Sequence, residues 1–245
     1  MGFADHFSSI AERYAAYRPL YPPALVDVLA ERAPPGDAWD VGCGSGQLSV
    51  ALASRFARVV ATDPSQAQLD AATPHPRVEY RRAAAEDSGL PDASMALVVA
   101  AQAAHWFDWP RFVAEAGRVA RPGALVALVS YGDVTVEGAA GATLARFYRD
   151  VAGPYWPPER AHVEAGYRDL VLPWPEVAAP PLAMTATWTR EELLGYVSTW
   201  SATVRLVAAE GTAPVEELAH ELAASWPDGE PRTLRWPLAL RLARR

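Results

Sequence analysis

The chain has 245 residues and a mass of 26.4 kDa, with 51% hydrophobic and 21% charged residues, enough apolar material for a full core and not the composition of a disordered chain. The net charge of −7 opposes a nucleic-acid partner, which needs a basic stripe to neutralise phosphates, and no apolar run reaches the roughly 18 residues of a membrane span. All 22 basic residues are arginine, so Schiff-base lysines and P-loop lysines are excluded; the single cysteine, Cys43, excludes an internal disulfide and a cysteine zinc cage.

In chain order, residues 4–18 read as a helix ending at Arg18-Pro19, because proline restricts the residue before it. A second helix is predicted over 22–33, with Pro22 and Pro23 in its first turn and Ala24, Leu25, Val28 and Leu29 inward; Pro34-Pro35-Gly36 breaks it. Strands are predicted at Trp39–Gly42, Val59–Thr62, Val78–Tyr80, Met95–Ala101 and Ala124–Ser130. Helices alternate with them at 48–56, 66–72 and 111–120, the last with Phe112, Val113, Ala116 and Val119 inward. Strands alternating with helices over about a hundred residues mean βαβ units on a parallel sheet.

After Tyr131 the rhythm loosens. A helix is expected over 140–151, irregular cap structure over the Pro-, Trp- and Tyr-rich stretch 153–181, a strand at Leu182–Trp188, a helix capped by Thr189 with Glu192 three residues on, and a helix near 214–225. From Leu234 to Ala243 leucine or tryptophan alternates with Arg235, Pro237, Ala239, Arg241 and Ala243, the period of a strand, and Pro237 suggests an edge or bulge.

The strongest chemical signal is Asp40-Val41-Gly42-Cys43-Gly44-Ser45-Gly46, a short strand running into a glycine loop and a helix start. Glycine permits positive φ and close approach of a ligand, and the helix start favours an anionic group. Asp63, at the end of the next strand, is placed to accept the hydroxyls of a ribose. Together they point to a nucleoside. The sixth loop position is Gln47 where a dinucleotide fingerprint needs glycine, and Asp40 precedes the loop; both count against a nicotinamide-dependent oxidoreductase, kept as the alternative beside a protein that binds the nucleoside without catalysis. The five histidines lie far apart, so no metal is expected.

Six stretches fall in order: the glycine loop, Ala61-Thr62-Asp63-Pro64-Ser65, Ala85-Glu86, Leu90-Pro91-Asp92-Ala93-Ser94, Ala101-Gln102-Ala103-Ala104-His105-Trp106-Phe107-Asp108, and Arg118-Val119-Ala120-Arg121-Pro122-Gly123. Over residues 4–131 the chain resembles the class I S-adenosylmethionine-dependent methyltransferases of the type-11 group. With Tyr17-Arg18-Pro19 and Tyr21-Pro22 upstream, it is similar to the trans-aconitate and other small-molecule methyltransferases. The resemblance implies an α/β, Rossmann-like, seven-stranded and mostly parallel sheet with flanking helices, its last strand antiparallel. It also implies one domain over 1–245: N-terminal lid helices in 1–35, a cofactor-binding core in 36–131, a cap facing the substrate in 132–230, and the final strand in 231–245.

For the site, it assigns the backbone of Gly42, Gly44 and Gly46 to the methionine part of S-adenosylmethionine, Asp40 to its ammonium and Asp63 to its ribose. Ala85 and Glu86 go to the adenine, and Gln102 lies beside the sulfonium. Tyr17 and Arg18, with Tyr21, form a lid. S-adenosylhomocysteine is the expected product. Ala84 and Ala96 stand where many relatives carry aspartate.

His105, just past a strand's C-terminal end, is the candidate general base. Trp156, Trp174, Trp188 and Trp200 are candidates for an apolar acceptor pocket, with Arg18, Arg160 and Arg168 to orient an anionic end. The expected acceptor is a small organic molecule, a carboxylate oxygen leading, with no nucleic-acid or membrane partner and a cytoplasmic setting. Cys43 reads as a small buried filler.

Overall fold

The computed structural model describes residues 19–245; the helix expected over 4–18, and the lid roles given to Tyr17 and Arg18, lie outside the described residues. Five parallel strands form one half of the sheet: β1 (Asp37–Val41), β2 (Val59–Asp63), β3 (Val78–Arg82), β4 (Met95–Ala101) and β5 (Ala120–Tyr131), in the order β3-β2-β1-β4-β5. Four more follow: β6 (Thr135–Val136), β7 (Glu176–Val177), β8 (Leu182–Trp188) and β9 (Arg232–Arg244). β9 runs antiparallel to β5, which it meets along Leu238–Arg244, and then to β6. On its other side it pairs antiparallel with β8 and β7. Among the described residues nine strands therefore fill the seven expected positions, two of those positions being split, with β9 the antiparallel one.

The continuous apolar runs of β4 and β5 are explained by burial on both faces. On one face Leu97, Val99, Leu125, Ala127 and Val129 meet α1 (Pro23–Arg32) and α2 (Gln47–Leu52). Beyond α3 (Gln66–Asp70), the other face packs Val98, Ala100, Val126 and Leu128 under α4 (Trp109–Val119). Two inward positions differ from expectation. In α1 Ala24 is exposed and Val26 is buried, the larger side chain removing more apolar area from water. In α4 Glu115 is buried while Val113 is half-buried. Glu115 accepts from the Ser88 amide (2.9 Å) and hydroxyl and from Arg118, whose guanidinium also reaches the Leu90 carbonyl and Asp92. This bonding holds the Glu115 carboxyl down at about 2 despite its burial, the Arg118 bond being the largest cause. It ties the loop before β4 to α4.

A separate apolar cluster lies under the cap, among Leu144, Phe147, Met184, Leu193, Trp226 and Trp236. Its helices are α5 (Ala139–Arg146), continued by a wider turn over Phe147–Val151, α6 (Arg160–Glu164), α7 (Arg190–Ser198), α8 (Ser201–Glu210) and α9 (Ala213–Ala223). The Thr189–Glu192 capping box is present. α8 is absent from the sequence reading. Pro237 lies inside the sheet, paired with Ala183 of β8, and neither at an edge nor in a bulge of that pairing. The ladder on its other side is interrupted between Tyr131 and Thr135, opposite this proline, so its missing N–H falls where the partner strand is broken.

Candidate active site

In the parallel half, β1 lies between β2 and β4, so chain connections leave to opposite sides at its C-terminal end; ligands of open α/β sheets bind in that crevice. A cleft of about 900 Å³ opens there. Asp40, Gly42, Cys43, Gly44, Asp63, Ala85, Glu86 and Gln102 line it, as does Tyr21.

The glycine loop spends most of its amides on its own shape. Gly42 and Cys43 donate to the Thr62 carbonyl (2.8 and 3.0 Å), Gly46 to Cys43 (3.0 Å), and Gly44 to Asp63 Oδ2 (2.9 Å). Gly42, with φ at +66°, has a backbone so close to Ala103 that an added Cβ would lie 2.6 Å from it. Gly46 is absent from the cleft lining; it caps α2 at φ +80°, and a Cβ there would run into the Tyr80 ring. Its place in the set is therefore to shape the turn.

Asp63 Oδ1 accepts from the Ser65 amide (2.9 Å) as Oδ2 does from Gly44. Asp40 is almost wholly buried and accepts from Ser49 Oγ at 2.6 Å. Burial pushes its carboxyl up to about 7, with Asp63 adding to the rise and Ser49 opposing it. A carboxyl so placed is ready to be ionised by an incoming cation. One Glu86 oxygen accepts from the Asp108 amide (2.7 Å). Cys43 is half-buried; burial, Asp40 and Asp63 all raise its thiol pKa, which leaves it unreactive.

Gln102 ends β4 in a left-handed conformation, φ +54°, with its amide Nε2 donating to the Tyr131 carbonyl (2.8 Å). With Trp106 and Tyr131 it also lines a second pocket of about 70 Å³, so the two spaces share a wall. His105, Tyr148, Trp156, Arg160 and Trp200 complete much of that pocket. Of the four tryptophans expected there, Trp156 and Trp200 line it. Trp174 instead packs on the core at Gly117, and Trp188 stacks edge-on against Trp236 (5.1 Å). Of the three arginines, Arg160 is present, Arg168 is not, and Arg18 lies outside the described residues. The Arg160 side chain is 17% exposed, and its guanidinium lies 4.5 Å over the Trp156 ring and donates to the Tyr148 hydroxyl (2.9 and 3.1 Å). The Asp133 carboxylate stands 3.9 Å away.

His105 Nδ1 lies 2.9 Å from the Tyr167 hydroxyl. Burial first, then the neighbouring Arg160 and His162, bring its pKa down to about 3. It is neutral throughout the physiological range and a weak base. Tyr167 and Tyr148 were missed in the sequence, where neither sits in a recognisable motif.

An α/β crevice with a glycine loop, a buried carboxyl at the loop's start and a second carboxylate at the next strand end define a nucleoside-binding protein. A family profile described as the methyltransferase domain matches residues 39–128. A Dictyostelium discoideum protein described as a methyltransferase is 31% identical over 229 residues, covering 91% of this chain and 87% of that one. A solved structure from Anaeromyxobacter dehalogenans, described as a type II methyltransferase, is 49% identical, with a TM-score of 0.88 over 93% of this chain and 98% of its own. A malonyl-[acyl-carrier protein] O-methyltransferase of Hahella chejuensis is 38% identical over 129 residues, 49% of this chain and 46% of that one. The chain belongs to the class I S-adenosylmethionine-dependent methyltransferases, and the oxidoreductase and non-catalytic readings are not favoured. Among the described residues no helix is long and apolar enough to cross a membrane.

Proposed function

We propose that this methyltransferase acts on a small organic acceptor through a carboxylate oxygen, seated in the 70 Å³ pocket beside the cofactor cleft. Arg160 carries the reading: a largely buried side chain whose guanidinium is held by a phenol and an indole face with its carboxylate 3.9 Å off, on the wall of a pocket that shares Gln102, Trp106 and Tyr131 with the cleft. Such a cation is preorganised for an anion.

In this reading Asp40 takes the ammonium of S-adenosylmethionine and Asp63 the ribose hydroxyls. Ala85 and the second Glu86 oxygen serve the adenine, Gly42 and Gly44 let the backbone approach the methionine part, and Gln102 stands where the two spaces meet. The bound cofactor supplies a methyl group already activated on a sulfonium. The protein's share is to align the acceptor and exclude water, and positioning of this kind is worth roughly 7–11 kcal/mol. A carboxylate is ionised near neutrality and needs no base, which suits a His105 whose pKa lies near 3. A relative named for O-methylation of a malonyl-[acyl-carrier protein] supports the same acceptor class.

The test is S-adenosylhomocysteine formation with a panel of small carboxylates beside their amides, alcohols and amines. Turnover confined to carboxylates supports the reading. Turnover only with phenols or amines sinks the carboxylate. Binding of the cofactor with no turnover on any acceptor revives the non-catalytic alternative.

A further inference from the structure

Tyr167 is fully buried and its backbone lies in the left-handed region, φ +58°, directly after Gly166 at +60°. A tyrosine holds that conformation only where its surroundings impose it. Here Arg241 of β9 reaches across to the carbonyls of Tyr167 and Leu170, the latter at 2.6 Å. The loop is thereby pinned with the phenol against His105, which stacks on the same ring with centroids 6.0 Å apart.

The hydrogen bond between Tyr167 and His105 has a definite direction. The amides of Ala104 and His105 face the phenol oxygen, and burial keeps the phenol protonated. That proton needs an acceptor, because a buried hydroxyl rarely goes without one. Among the described residues the acceptor at hand is His105 Nδ1 at 2.9 Å. If Nδ1 carried the proton instead, the phenol O–H would be stranded in the core. The imidazole is neutral, with Arg160 and His162 both disfavouring its cation, so its one proton belongs on Nε2. Nε2 makes no hydrogen bond within the described residues, and it is not among their buried, unpartnered atoms. It lies on the side of the ring away from Tyr167, and His105 lines the small pocket with Arg160.

We infer that Tyr167 locks His105 in the Nε2–H tautomer, so that His105 enters the acceptor pocket as a hydrogen-bond donor beside Arg160, the two forming a seat for one oxyanion. Tyr167 is a positioning residue and His105 a specificity residue, not a base. The inference rests on the carboxylate reading for the identity of the guest; the lock itself does not.

The experiment is a long-range proton–nitrogen correlation spectrum of the full chain labelled with ¹⁵N-histidine, between pH 6 and 8, with His105 assigned by its loss in His105→Gln. The expected pattern is a bare Nδ1 and a protonated Nε2, becoming a mixture of tautomers in Tyr167→Phe. A proton on Nδ1, or an imidazolium, in the unmodified protein overturns the lock, and this measurement needs no variant beyond the assignment. Malonate is then titrated against malonamide. Malonate should move the Nε2 resonance and malonamide should not. His105→Ala should weaken malonate about tenfold, and His105→Gln, which keeps an N–H within reach, about threefold or less. Malonate leaving Nε2 unmoved while the tautomer stands overturns the oxyanion seat without touching the lock, and the carboxylate reading is decided separately by the turnover panel.

Discussion

Asp40→Asn should stabilise the cofactor-free protein while weakening its hold on the cofactor. The variant removes a charge but keeps an oxygen to accept from Ser49 Oγ. Raising a carboxyl from its ordinary 3.8 to about 7 corresponds to a ceiling of about 4 kcal/mol against the ionised form. The sign follows from proton linkage. The folded chain holds this proton more tightly than the unfolded one, so Asp40 lowers stability progressively as pH rises from about 4 to 7, and the loss is complete above that. Urea denaturation of both proteins without cofactor measures the gap. The asparagine variant should match the parent near pH 4 and exceed it by about 1–4 kcal/mol at pH 8.5. Calorimetric titration with S-adenosylhomocysteine should show the reverse order, weaker by about 1.5–3 kcal/mol, because the ammonium loses a charged partner. Parent affinity should rise with pH up to about 7, and the variant's should not. A variant less stable than the parent at pH 8.5, or one that binds the cofactor equally well at every pH, would refute the account of Asp40.

Three further outcomes are expected. Asp63→Ala should weaken S-adenosylhomocysteine binding roughly ten- to a hundredfold, and should loosen the glycine loop through loss of the Gly44 and Ser65 bonds; a change under about twofold in calorimetry would mean the ribose lies elsewhere. Gly46→Ala places a side chain at φ +80° against the Tyr80 ring and should destabilise by about 1–3 kcal/mol in thermal or urea melts; a neutral result would show that the turn relaxes freely. With both substrates saturating, the rate on a carboxylate acceptor should be nearly flat from about pH 6 to 8, since neither the acceptor nor His105 titrates there; a steep rise with pH, abolished by His105→Ala, would identify a base-assisted acceptor.

The cofactor half was legible because its signals are local. Three glycines and two aspartates fall within 24 residues, at strand ends that β-branched and apolar runs mark out. The cap was less legible because its determinants are distant in sequence. α8 begins at Ser201 behind Trp200, which supplies no side-chain cap, and its Ser-Ala-Thr-Val-Arg start shows no clean apolar stripe. Pro237 read as an edge or bulge residue; the irregularity is there, but it lies in the partner ladder between Tyr131 and Thr135, a hundred residues earlier, which makes room for the proline inside the sheet. Trp174 and Trp188 have the composition of pocket residues, but a glycine on α4 and Trp236 on β9 draw them into packing. Tyr167 could not be singled out, because its role depends on Arg241, 74 positions away.

The position of β9 has a consequence for biogenesis. This strand, residues 232–244, fills the slot between β5 and β8 and leaves the ribosome after both. Until it arrives, β5 and β8 each present a row of unpaired amides and carbonyls, and the apolar side chains of Leu125–Val129 lack their neighbour. The nascent chain therefore passes through a stage with two adhesive edges facing a strand-wide gap, the arrangement most prone to wrong pairing with another copy. Ribosome-arrested chains ending before Arg232 should be captured by chaperones and cleaved by protease within the cap, and emergence of residues 232–244 should end both at once.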